Sequence, residues 1–130
     1  MEILQPPDWA RPRGFSNGIA ARGRMVFVSG MIGTDLQGKL VGRDFAAQTR
    51  QALQNVKTVL AQANARPEHI ARMTWYVVDK KEYVASYKAI GEAYREVMGR
   101  NYPAMTAVQV VALVEDAARV EIEVTAVVPD

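Results

Sequence analysis

The sequence has no cysteine and a single histidine, His69. Without cysteine there is no disulfide, no thiolate metal site and no thiol nucleophile. One histidine argues against a histidine-based metal centre or a histidine pair for acid–base work. His69 itself, in "ARPEHIARM", falls on a connection between elements and reads as a surface residue. No stretch approaches the roughly 18 consecutive apolar residues of a membrane span. The N-terminal "MEILQPPDWARPRG" lacks the charged-then-apolar order of a signal peptide. A cytoplasmic protein without a membrane partner is therefore expected. Surplus charge is scarce too. Sixteen Lys and Arg against 14 Asp and Glu leave +2, and the basic residues are scattered, so no electrostatic track for nucleic acid is expected.

What is present suits one domain. At 130 residues the chain is long enough to bury a core. It is read as a single domain over 1–130, with residues 1–13 as an extended, Pro-rich surface segment. "RMVFVSG" (24–30) is a β-branched and aromatic run ended by glycine, hence a strand. "GFSNGIAARG" before it is expected to hold a partner strand, with Gly23 in the turn. "TDLQGKLVG" predicts a tight turn at Asp35 to Gly38. "DFAAQTRQALQNVKTVLAQANA" predicts a helix with Asp44 as N-cap, and with Phe45, Thr49, Ala52, Leu53, Val56, Val59, Leu60 and Ala63 on one stripe. Asn64 and Pro67 end it. "RMTWYVV" is a strand by composition. A second helix follows from Asp79, with Glu82 at capping-box spacing and Tyr83, Tyr87, Ile90, Tyr94, Val97 and Met98 as its stripe. Gly99 and Pro103 are stop signals. Gly91 inside it costs roughly 1 kcal/mol relative to Ala, which close packing against the sheet would explain. Strands over 106–113 and 119–128 close the chain. The order ββ-α-β-α-ββ, with two helices on one face of a mixed sheet, is a two-layer α+β domain.

That sheet has a second face to account for. In the last strand Val120, Ile122, Val124 and Ala126 point one way, and Glu121, Glu123 and Thr125 the other. The middle strands do not alternate cleanly, so the face away from the helices reads as still largely apolar and in need of cover. Another copy of the chain is the cheapest cover, because most soluble oligomers are homo-oligomers. Glu121 and Glu123 then lie on or beside a subunit interface, where a carboxylate is paired, solvated or functional.

Three blocks, "VFVSGMIGTDLQGKLVG", "QALQNVKTVLAQA" and "YPAMTAVQVVALVEDAARVEIEVTAVV", together resemble the Rid family, also called YjgF or, by an older label, endoribonuclease L-PSP. The likeness covers nearly the whole chain after about Gly14. It implies a chorismate-mutase-like fold assembled as a homotrimer, with ligand sites in clefts between subunits. It also implies hydrolysis of enamines and imines such as 2-aminoacrylate to 2-keto acids and ammonia, with no metal or organic cofactor. Deaminating members carry an arginine directly after "PA" that binds the substrate carboxylate as a bidentate pair. Here that position is Met105, which has neither charge nor donor. The glutamate that orients the attacking water matches Glu121, and the cleft-lining glycine of "SG" matches Gly30. The early cleft tyrosine falls near Ser16, or at Phe15 if the alignment slips by one. Ala107 stands where a frequent cysteine turns its backbone N–H to the ligand.

Three readings follow. One is an enamine or imine deaminase of altered specificity. Glu121 positions water, backbone groups near Gly30 and Ala107 hold polar substrate atoms, and Met105 and Phe15 shape an apolar pocket. A second is a module that binds a metabolite or a partner protein without turnover, which Met105 favours. A third is ribonuclease activity, for which the sequence offers no histidine pair, carboxylate cluster or basic groove. Trp9 and Trp75 are possible stacking platforms, although Trp75 in a strand fits the core. Arg119, just before the last strand, is a possible source of the missing positive charge.

Overall fold

A computed structural model describes all of residues 1–130. In chain order the elements are strands β1 (Glu2–Ile3), β2 (Ile19–Ala20) and β3 (Arg24–Met31), helix α1 (Phe45–Gln62), strand β4 (Ile70–Val77), helices α2 (Lys80–Ala85) and α3 (Tyr87–Met98), and strands β5 (Ala104–Gln109) and β6 (Val120–Val128). The main sheet runs β3-β6-β4-β5. β6 is antiparallel to both β3 and β4, and β5 lies parallel to β4 at the edge. The architecture is the expected mixed α+β two-layer fold.

Strand parity decides which side chains meet the helices. Met73, Trp75 and Val77 of β4 and Val120, Ile122 and Val124 of β6 are buried together with Leu53, Val56 and Leu60 of α1 and Val97 and Met98 of α3. Each such side chain contributes roughly 1.5–3 kcal/mol by leaving water. The opposite face is less apolar than the sequence suggests. Arg72, Thr74 and Tyr76 of β4 lie beside Glu121, Glu123 and Thr125 of β6 at its centre, and the exposed apolar residues Met25, Phe27 and Val108 stand towards its two edges.

The α1 boundaries follow from local chemistry. The Ala47 N–H donates to Asp44 Oδ2 at 2.9 Å, and Asn64 adopts a left-handed φ of 55° that closes the C-terminus. The Asp35 turn forms as expected, with Gly38 N–H bonded to the Asp35 carbonyl at 3.0 Å.

Four expectations are corrected. The partner of β3 is β6, whereas β2 pairs with β1 in a separate two-stranded sheet. Gly23 has a φ of 149° and passes so close to the end of β6 that a Cβ would lie 2.1 Å from the Val128 carbonyl oxygen, which aims β3 at β6. The second long helix is two helices, because Ser86 (φ −99°, ψ 7°) leaves the helical conformation, as serine favours helix ends over interiors. Glu82 does not complete a capping box. Asp79 Oδ1 accepts from the Lys81 N–H at 2.9 Å, but the Glu82 carboxylate is held by Arg119. β5 ends at Gln109 rather than 113, because β4 ends at Val77, whose carbonyl takes the Val110 N–H at 2.8 Å.

Candidate functional site

The residues singled out in the sequence fall into two groups on opposite faces of the sheet. The first is Glu121 with Gly30. Glu121 points to the face without helices, is half-exposed, and forms no ion pair or side-chain hydrogen bond. Its neighbour Glu123 differs: it accepts from the Tyr76 hydroxyl at 2.5 Å. That hydrogen bond, with burial and the negative charge behind it, raises the Tyr76 phenol above its ordinary range. Gly30 sits at a register shift between Val28 and Met31, where β3 bulges. A Cβ at Gly30 would lie 2.1 Å from Glu121 Oε2. Glycine is thus what lets a free carboxylate lie directly against bare main chain.

The second group surrounds Met105. In the parallel register Met105 pairs with Met73 and Ala107 with Trp75, so both project to the helix side. Ser16 ties the N-terminal segment to this edge. Its N–H donates to the Pro103 carbonyl at 2.9 Å and its hydroxyl to the Tyr102 carbonyl at 2.5 Å. Ser16 is buried with its hydroxyl committed to that tie, and Phe15 is the neighbour that reaches outward. Phe15 and Met105 meet in an open groove of about 540 Å³ whose walls also include Trp75, Tyr83, Tyr87 and Gly91. Tyr83 packs edge-on against Tyr87 at 5.2 Å and leans over Trp75 at 6.1 Å, centroid to centroid. Burial raises the Tyr83 phenol, with Tyr87 adding to it. At the end of the groove Tyr102 stacks on Tyr94 at 5.5 Å.

Ala107 lies on the exposed edge strand. The Val110 N–H bonds to β4 and the Pro103 carbonyl bonds outward to Ser16. Regular alternation then turns the Ala107 N–H away from β4, towards the uncovered edge.

One chain does not bring the two groups together. β5 is two strands from β6, about 10 Å at the usual spacing, and the groups lie on opposite faces. Arg119 does not supply charge to either. Its Nε and Nη2 donate to the two Glu82 carboxylate oxygens at 2.9 and 3.1 Å, which raises the pKa of the guanidinium.

Two groove residues, Arg13 and Arg95, escaped the sequence reading, and a third, Gly91, was given another role there. Arg13 and Arg95 both belong to its walls, and Gly91 forms part of its surface rather than packing on the sheet. A Cβ at Gly91 would meet nothing closer than Arg95 Nη1 at 3.9 Å. The available signal was the spacing of four from Tyr87 to Gly91 to Arg95, which puts all three on one helix face.

The sequence model of the family described as Endoribonuclease L-PSP matches residues 9–128. A RutC family protein of Pyrococcus horikoshii is 32% identical over 127 residues, spanning 96% of each chain. A 2-iminobutanoate/2-iminopropanoate deaminase of Salmonella typhimurium is 35% identical over 105 residues, 81% of this chain and 80% of that one. A crystal structure of a Rid-family protein of unknown function from Yersinia pestis superposes with a TM-score of 0.86 at 32% identity, covering 98% of both chains.

Proposed function

The chain belongs to the Rid family, and on that premise we propose that it is an enamine or imine deaminase whose small-molecule sites lie between the subunits of a homotrimer. The observation that carries this reading is the unpaired Glu121 carboxylate against the bare backbone of Gly30. A relative at 35% identity is named as a deaminase of 2-imino acids.

The chemistry needs little else. Water adds its oxygen to the imine carbon while Glu121 accepts the proton. That proton passes to nitrogen to give the neutral carbinolamine. The hydroxyl proton then follows it to nitrogen through Glu121 as the C–N bond breaks, so the C=O forms and ammonia leaves. Water and imine are consumed, keto compound and ammonia are formed, and nothing is oxidised. An enamine enters by taking a proton at carbon and losing one from nitrogen, which gives the imine.

Because Glu121 and Gly30 lie on one face and Phe15, Met105 and Ala107 on the other, a ligand touching both sets sits between copies. The uncovered β5 edge and the exposed Phe27 give those copies surfaces to meet. Met105 offers no charge, so the substrate differs from one fixed by an arginine at that position.

The test is ammonia release from a panel of enzymatically generated imines. Glu121→Gln is expected to lower kcat by about a hundredfold, and equal rates for the two proteins would remove Glu121 from the chemistry. A monomer in sedimentation would remove the shared site. Binding without turnover is a second reading, favoured by the missing arginine. No release from any imine, with ligand binding retained, would establish it.

A further inference from the structure

We propose that the groove beside Met105 selects 2-keto, 2-imino and 2-enamino acids with a bulky, flat apolar side chain, whose carboxylate is held by Arg13 and Arg95. The inference rests on the deaminase reading above and names its substrate class.

Size is the first argument. About 540 Å³ is within the ordinary range of ligand pockets. It exceeds what a two- or three-carbon imino acid fills, and such a substrate would leave most of the walls wet.

Wall chemistry is the second. Phe15 and Tyr87 expose 38% and 57% of their surface, and together with Met105 and Tyr83 they present apolar faces with little to cover them. A flat ring between them removes that area from water and stacks on it. Gly91 supplies the room, because no side chain there fills the floor.

Charge is the third. Arg119, the cation singled out in the sequence, is occupied by Glu82. Arg13 and Arg95 form no ion pair, and both belong to the groove. Both are exposed, and a carboxylate is the ligand group that an unpaired guanidinium takes. The position vacated at 105 is thereby replaced from the N-terminal segment and from α3.

A buried donor adds a fourth. The Trp75 indole N–H lies in the same wall, fully buried and without an acceptor. An oxygen on the ligand is the kind of acceptor it lacks.

Calorimetric titration of the full chain with phenylpyruvate and with pyruvate tests this directly, because keto acids bind without reacting. Phenylpyruvate is expected to bind at least about tenfold more tightly than pyruvate. Arg13→Gln and Arg95→Gln should each weaken it by about tenfold. Gly91→Leu, at a position with space for a side chain, should abolish the preference. Equal affinity for the two acids, or affinity unchanged in both arginine variants, would overturn the proposal. Tight phenylpyruvate binding without ammonia release from its imine supports the groove and overturns the deaminase reading. Ammonia release from 2-iminopropanoate without a phenylpyruvate preference overturns the groove and leaves the deaminase reading standing.

Discussion

At the scale of single residues, Met105 decides the most. Its side chain points into the groove next to Phe15 and Tyr102, so Met105→Arg would place a planar fork of donors where a small substrate's carboxylate can reach it. A charge-assisted pair of this kind contributes roughly 1.5–3 kcal/mol. A ten- to hundredfold rise in kcat/KM for 2-aminoacrylate, followed by ammonia release, is therefore expected. No rise would mean that more than one part of the site differs from its deaminating relatives. The strand face of Glu121 was legible in the sequence because strict alternation fixes which side chains point together, whereas Gly30 was singled out by the family resemblance alone. Arg13 and Arg95 were not, because they lie on an irregular segment and a helix that meet only after folding. Ser16 shows the limit of alignment: at the same approximate position, one residue is a buried tie and its neighbour is the exposed ring.

At the scale of elements, legibility followed the strength of local signals. α1 was readable from its apolar stripe, Asp44 and Asn64, all of which act within a turn of the boundary. Asp44→Ala is expected to cost about 1 kcal/mol in urea unfolding through loss of the bond to the Ala47 N–H, and to leave imine hydrolysis unchanged. A loss well under half that size would assign the cap to solvent. Gln48 anchors the same helix more deeply. Fully buried, it donates to the Gly42 and Ala117 carbonyls and accepts from the Arg119 N–H, a role that no periodicity reveals because the partners are distant. The break at Ser86 and the β1–β2 pairing were hidden for the same reason. Two-residue strands carry no alternation to read, and an isolated serine signals a helix end no more clearly than an exposed helical position.

At the scale of the whole molecule, three tyrosines set the response to alkali. Tyr76, Tyr83 and Tyr94 all have folded-state pKa values above the ordinary 10.0. The causes are, in order, the bond to Glu123, burial beside Tyr87, and deeper burial beside Tyr102. A raised folded value means that the native state holds the proton more tightly than the unfolded chain. The stabilisation is therefore fully present below about pH 10 and is lost as pH climbs through the folded values. Thermal unfolding between pH 8 and 11 should show a steady midpoint that then falls, and Tyr94→Phe should flatten that fall. An identical slope in the variant would discount Tyr94 as its source. Gly91 carries a different consequence. A side chain there would meet neither the sheet nor the core, yet the position sets how much the groove holds. One codon can therefore narrow or close the pocket while the core packs as before, so this lineage can try new substrates without first risking its scaffold.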